Sequence, residues 1–526
     1  MFRRTGPVIC SALAVGVVLA LGACTSTKKP AAAKTTPTSS SSGGLAGGTF
    51  AERPAVWTSC PDISQQMTGE TNSGFSFDCA TIQVPQDWHN ADNGKTFDIA
   101  IVRARSHAQK NRIGSLVVNP GGPGGSGVQL AADLVAPGQN FPTAITDRFD
   151  IVGFDPRGVG ESTEVQCLTA QAQDELFAAE PDPISQADFD AVVALNKSVE
   201  APCGTKYGAQ LPLFSTEQAS RDIDAVRVAV GDDKLTYLGY SYGTLLGAVY
   251  AQLFPTKVRA AVLDGAIDPK QSIVQRSEGQ AAGFEHAFDD FTTWCKANTS
   301  QCPISADPRG AVMAALAASR VSPVAGSDSR KATSGWIFTG VAEAMYSKSE
   351  WPVLASGIAQ LKTGTSTDIF RLADNYAERS PSGQYSNLFD DNDAVNCADF
   401  ASQPTLAQIR TYQTQWRAKY PLFGGPLATG MISCAQGVWP GTSDPYPAGP
   451  ATGAPPIVVV GTTGDPATPY AQTAKLADML GDGHVITWEG EGHTAYPQTK
   501  CITDAVNDYL LNLTVPKAGL TCPASS

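Results

Sequence analysis

The sequence predicts an α/β fold: a mostly parallel central sheet flanked by helices, with a large, mainly helical cap inserted late in the sheet. Three observations carry this. Short apolar, β-branched runs stand at 96–102, 115–118, 150–154, 235–238, 260–263, 457–460 and 484–488. Their continuous rather than alternating apolar character suits strands buried on both faces. Helical patterns at 128–134, 217–230, 242–253, 471–480 and 502–511 fall between or after several of them, the order of strand–helix–strand units. The alternation then stops after Asp264 and resumes near Pro456, and the interval holds candidate helices at 279–296, 310–318, 336–345, 351–361 and 406–419.

Taken in chain order, the first element is an export signal. Arg3 and Arg4 precede an apolar run, 8–23, that is shorter than the roughly 20 residues a spanning helix needs. The run ends Leu21-Gly22-Ala23-Cys24, similar to a bacterial lipoprotein box, so 1–23 is expected to be cleaved and Cys24 to carry lipid. Residues 24–50 are rich in Ser, Thr, Pro, Ala, Gly and Lys. Such a segment buries too little to offset its ordering entropy and is expected to be a disordered tether. The first part of the sheet layer is expected over 51–268, the cap over 269–455, with the Pro/Gly-rich stretch 437–456 as its return, and the second part of the sheet layer over 456–526. The expected location is the outer face of the cytoplasmic membrane or the cell envelope, reached only through the N-terminal lipid.

The chain has 526 residues, 42% hydrophobic and 17% charged, which is globular composition. Its 37 Lys and Arg against 50 Asp and Glu give −13; without Arg3, Arg4, Lys28, Lys29 and Lys34 the balance is 32 against 50, or −18. An anion of this size lacks the clustered cations that nucleic acid requires, so nucleic-acid partners drop out. Of 12 cysteines, removal of Cys10 with the signal and use of Cys24 for lipid leave ten: Cys60, Cys79, Cys167, Cys203, Cys295, Cys302, Cys397, Cys434, Cys501 and Cys522. An even count in an exported chain predicts disulfides. Neighbours in sequence are the expected pairs, because closing short loops costs the least entropy. No metal site is expected, since no cysteine or histidine cluster has zinc spacing. No cofactor is expected either, since no dinucleotide fingerprint is present.

The chemistry begins at Gly239-Tyr240-Ser241-Tyr242-Gly243, a Gly-x-Ser-x-Gly turn with a buried strand before it and an Ala/Leu helix after it. A serine hydroxyl is a weak nucleophile until a histidine takes its proton and a carboxylate fixes that histidine's tautomer. Of five histidines, His89, His107 and His286 come in the wrong chain region for the order Ser, Asp, His, and His484 opens a strand. His493 lies in a Gly-rich loop after the 484–488 strand. Asp465 follows the 457–460 strand, and Asp264, at an earlier strand end, is its competitor, read as a loop anchor. Negative charge on a tetrahedral intermediate needs backbone N–H donors. Tyr242 N–H and one amide from Gly121 or Gly122, in the glycine-rich run 119–127, are the candidates. Arg157, in Asp155-Pro156-Arg157-Gly158, is read as a structural clamp.

These motifs, with Gly464-Asp465-Pro466-x-Thr468-Pro469 and Gly492-His493, resemble the proline-iminopeptidase and tripeptidyl-aminopeptidase branch of the α/β-hydrolases, including secreted actinobacterial (mycobacterial) carboxylesterase and serine-protease lipoproteins. Gly283-Phe284-Glu285-x-x-Phe288 and Asn396-Cys397-x-Asp399 resemble cap segments of that group. Pro120 stands where iminopeptidases usually have His, which favours the tripeptidyl type. The resemblance implies an exported serine hydrolase, an aminopeptidase cleaving peptides through an acyl-enzyme. A carboxylesterase using the same triad is the alternative, and a non-catalytic peptide- or solute-binding lipoprotein is the second. An aminopeptidase must hold a substrate ammonium, for which Asp399, Glu285 and Asp393 are the candidates.

Overall fold

The structure, a computed structural model, describes residues 54–525. The expected signal segment, Cys24 and the tether lie outside them. The strands are β1 (Thr58–Ser59), β2 (Phe75–Pro85), β3 (Thr96–Ser106), β4 (Gly114–Asn119), β5 (Phe149–Phe154), β6 (Leu235–Tyr240), β7 (Val258–Asp264), β8 (Val324–Ala325), β9 (Lys331–Ala332), β10 (Ile457–Gly464), β11 (Gly483–Glu491) and β12 (Leu520–Cys522). Ten of them form one sheet in the order β1-β2-β3-β5-β4-β6-β7-β10-β11-β12. The pairs from β1 to β5 are antiparallel and all those from β5 through β12 are parallel.

Every residue of β4, β5 and β6 is buried, as an apolar run covered by helices on both faces demands. One cluster of core side chains, including Val117, Val152, Leu246 and Val459, fills one face. Another, including Val118, Ile151, Leu238 and Val460, fills the other. Alternate residues of the same strands serve opposite faces, the period-two consequence of the pleat. All seven strands read from the apolar runs are present, and the structure adds the antiparallel β2, whose half-buried residues carry no continuous apolar signal.

Residues between β7 and β10 are mainly helical and build their own core around Phe288, Phe291, Trp336, Trp351, Ile358 and Phe423. The helix expected from 279 starts at Ile273, because Ser272 accepts from Gln275 N and the Gln275 side chain returns the bond, a capping box that fixes the first turn. Helices Thr367–Tyr376 and Leu388–Asp399 were not foreseen.

The reading that gave all of 51–268 to the sheet layer missed a second excursion. Between β5 and the helix Thr216–Ala229 the chain forms helices Ala170–Ala178 and Gln186–Tyr207. Phe177 stacks on Trp336 at 5.4 Å and meets Phe389 edge-on at 5.0 Å. Glu180 accepts from Arg320 and Ser334, and Asp182 from Arg417. The covering over the sheet's strand ends is thus made of two stretches of chain. Periodicity concealed the longer helix because Pro202 lies inside it and its apolar residues bunch in the run Ala191-Val192-Val193-Ala194-Leu195 rather than recurring every three or four residues on one face.

The ten cysteines pair with sequence neighbours: Cys60–Cys79, Cys167–Cys203, Cys295–Cys302, Cys397–Cys434 and Cys501–Cys522. Cys397–Cys434 ties the helix Leu388–Asp399 to the turn after Gly424–Gly430. No helix among the described residues is long and apolar enough to cross a membrane.

Candidate active site

Ser241 sits between β6 and the helix Tyr242–Leu253 at φ 54° and ψ −123°, a backbone conformation that L-residues rarely adopt and that only a tightly determined turn sustains. Gly239 permits the turn, since a Cβ there would lie 2.4 Å from the Gly243 carbonyl oxygen. Ser241 N–H donates to the Asp264 carbonyl at 2.8 Å, so the end of β7 holds the serine's backbone. The loop after β4 closes on the same turn. A Cβ at Gly121 would stand 2.6 Å from Tyr240 O and 2.8 Å from Tyr242 N, a contact only glycine allows.

His493 follows β11, and its Nδ1 lies 2.9 Å from both Asp465 oxygens. Asp465, at the end of β10, is buried and also accepts from Ala467 N, Thr468 N and Thr468 Oγ1 at 2.8–3.0 Å. The imidazole's other nitrogen, Nε2, is buried and makes no hydrogen bond among the described residues. His493 N–H donates to Tyr346 O at 2.9 Å, and the Tyr346 ring packs edge-on against the imidazole at 5.4 Å. The side chain is thus held by the sheet and its backbone by the helix Ser334–Tyr346. Burial disfavours imidazolium, but the charges of Asp465 and Asp264 and the Asp465 hydrogen bond outweigh it and raise the His493 pKa.

Asp264, the competing acid, is buried and accepts from Ala495 N and Tyr496 N at 2.7–3.1 Å. Burial pushes its carboxyl up to about 7. It anchors the loop that carries His493, while Asp465 touches the ring. The other histidines lie apart: His89 on Glu217, His107 on Ser76, His286 beside Asp290 and His484 on Asp482. Arg157 is buried, paired with Asp222 at 2.7 Å and bonded to the Pro85, Gln86 and Leu213 carbonyls.

Ser241, Tyr242 and Gly122 open on a cavity of about 390 Å³ roofed by the insertion. Of the two glycine amides left open by the sequence, Gly121 N–H is committed to Asn119 Oδ1 at 3.0 Å, and Gly122 faces the cavity.

Two of the three acids proposed for a substrate amine are corrected by their positions. Glu285 does not line this cavity; its oxygens accept from Arg309 Nη1, Leu422 N and Phe423 N, so it clamps the insertion's core. Asp399 faces a separate small cavity, with both oxygens taken by Thr216 N and Oγ1. The Cys397–Cys434 disulfide stands two residues away, but the Asp399 carboxylate does not line the main cavity. Asp393 lines the main cavity; burial first, and Asp390 as a like charge, raise its carboxyl to about 6.

The sequence missed Glu343, Glu378 and Arg276, which line the same cavity. Glu343 had a legible signal, as the sole charged residue of the otherwise apolar helix Ser334–Tyr346. Burial raises the carboxyls of Glu343 and Glu378, against hydrogen bonds from Asn375 and Ser386. Asp393, Cys397 and Cys434 form the one cluster with metal-ligand spacing among the described residues. Both thiols are consumed in a disulfide, so the set does not suit a metal that needs thiolate.

Comparison with known proteins agrees with this geometry. Residues 420–522 match the family described as TAP-like protein, an α/β-hydrolase family. Serine protease Hip1 of Mycobacterium tuberculosis is 36% identical over 490 residues, 89% of this chain and 91% of that protein. Carboxylesterase B of the same species is 37% identical over 478 residues, 89% of each chain. Tripeptidyl aminopeptidase of Streptomyces coelicolor is 30% identical over 465 residues, 84% of this chain and 82% of that one.

Proposed function

The chain belongs to the tripeptidyl-aminopeptidase-like family of α/β-hydrolases and is a serine hydrolase, and from that premise we propose that it is an aminopeptidase releasing short peptides from free N-termini. Ser241 Oγ attacks the scissile carbonyl, and His493 Nε2 takes its proton and passes it to the leaving amine. Asp465 holds the ring so that Nε2 is the basic nitrogen. Tyr242 N–H and Gly122 N–H receive the oxyanion. Water then attacks the acyl-enzyme with His493 again as base, releasing the acyl peptide and restoring the serine.

The observation that carries this reading is the His493 ring. Nδ1 lies 2.9 Å from both Asp465 oxygens, while Nε2 has no hydrogen-bond partner among the described residues, Ser241 Oγ included, and so keeps its lone pair free for the serine proton, a contact that tightens when substrate binds. The case for a peptide over an ester is the polar roof. Glu343 and Glu378 offer carboxylates to an α-ammonium, with Asp393 as a third acid on the wall, and a charge-assisted bond of this kind orients a free N-terminus. The carboxylesterase reading is favoured by the likeness to carboxylesterase B, and triad and oxyanion site serve it equally.

Two assays separate these readings. A fluorophosphonate should label the wild type and leave Ser241→Ala unlabelled. Cleavage of a free-amine tripeptide anilide should exceed that of its N-acetyl form by tenfold or more; equal rates, or turnover of acyl esters alone, would give the site to the esterase.

The N-terminal motif supports an exported, lipid-anchored protein, and five disulfides fit an oxidising compartment. Incorporation of labelled fatty acid, lost in Cys24→Ala, tests the anchor.

A further inference from the structure

The helix Ile273–Ala297 brings one guanidinium, Arg276, into the wall of the main cavity. Its Cζ lies over the Phe400 ring, 4.7 Å from the centroid, a cation–π contact that uses none of the N–H donors. Those donors are poorly supplied. Nε is buried without a hydrogen-bond partner, and the one side-chain acceptor near Nη1 is Asn396 Oδ1 at 3.5 Å, the limit of a bond. No carboxylate lies within ion-pair distance of Arg276 among the described residues. The nearest acids are engaged elsewhere: Asp399 with Thr216, and Asp268 with Lys270 N and Lys475.

Arg276 is partly buried: its Nε is sealed off without a partner while the rest of the guanidinium borders the cavity, and a bidentate acceptor there would offset the cost of the unpartnered donor. The other charged residues lining the cavity, Glu343, Glu378 and Asp393, are all acids, so Arg276 is the single cation among the charged residues that line it.

We propose that Arg276 is a specificity determinant that takes a carboxylate of the peptide substrate, so that the enzyme favours peptides carrying a negative charge near the scissile bond. The inference deepens the peptidase reading and rests on it. The carboxylate comes from an acidic side chain or from the free C-terminus of a short peptide, and both present the same planar pair of oxygens to the guanidinium.

The test compares kcat/KM for tripeptide anilides with Glu or Gln at each position in turn, and for tetrapeptide acids against the matching amides. In the wild type one of these ratios should be tenfold or more, and which one identifies the source. Arg276→Gln should bring that ratio near one, and Arg276→Lys should keep part of it, an outcome that a merely structural role of the arginine would not produce. Ratios near one throughout in the wild type, or a preference that survives Arg276→Gln, overturns the proposal. If Arg276→Gln does not fold, the wild-type ratios and Arg276→Lys decide. If the wild type takes no fluorophosphonate, the hydrolase reading has failed instead; calorimetry with tetrapeptide acid and amide then tests Arg276 alone, and equal affinity overturns it.

Discussion

The floor and the roof of the cavity are built by opposite means. The floor is made of strand-end loops in which backbone geometry does the positioning: Ser241 at positive φ, Gly121 against Tyr240 and Tyr242, His493 and Asp465 at the ends of neighbouring strands. The roof is mainly helical, with Arg276, Glu343 and Asp393 projecting from three helices and Glu378 from the turn after Thr367–Tyr376. The floor can polarise any acyl group set on it, whereas the roof decides which molecule is set there. Tyr346 joins the two, since its carbonyl and ring both bear on His493.

The contrast breaks most visibly on the floor. Asp465→Asn should lower kcat for every substrate by on the order of 10⁴, because an amide no longer holds the imidazole tautomer. Asp264→Asn, at the neighbouring strand end, should cost roughly tenfold, since it loosens the loop without touching the ring. Stopped-assay kinetics on both variants decide between them; similar losses would mean that the two acids share one role.

Gly121→Ala should cost about 10²-fold in kcat, because the added methyl drives the oxyanion loop from the serine turn and a displacement of about 1 Å is worth that much. Full activity with a crystallographically unshifted loop would count against the glycine argument.

A roof change should act on selection. Glu343→Gln should raise KM for free-amine tripeptides about tenfold, the worth of one charge-assisted bond, and leave the N-acetyl form unaffected. A parallel loss on both substrates would return Glu343 to a packing role.

The pH dependence has opposite signs in the two regions. On the floor the His493 pKa is raised, so the base is lost as pH falls through a value above the ordinary 6.5. The acid limb of kcat/KM should lie there, and Asp465→Asn should move it lower. In the roof helix Leu388–Asp399, burial raises Asp390, Asp393 and Asp399 to about 6 each, against about 3.9 unfolded. The folded protein therefore binds more protons than the unfolded chain between about pH 4 and 6, and stability falls as pH rises through that window. Melting should occur a few degrees higher near pH 5 than near pH 7, a small effect that calorimetry resolves; a Tm that falls steadily below pH 7 would contradict these burials.

Much of the floor was legible in the chain. The Gly-x-Ser-x-Gly turn, the order of Ser241, Asp465 and His493, and the continuous apolar strands are local features whose meaning survives without coordinates, because a buried parallel strand and its tight C-terminal turn admit few residue types. The cysteine pairs were legible for a related reason, since short loops close at the least entropy.

The roof was not. Asp399 and Glu285 look like free acids in sequence, yet their oxygens are filled by Thr216, Arg309 and two backbone amides. Glu343, Glu378 and Arg276 come from stretches with no motif. The helix Gln186–Tyr207, which the sequence reading left in the sheet layer, belongs to an excursion that joins the covering. Periodicity reports whether a side chain is buried. Whether a buried charge meets a partner or an open cavity depends on which distant helix packs opposite it, and that is settled only when the insertion docks on the sheet.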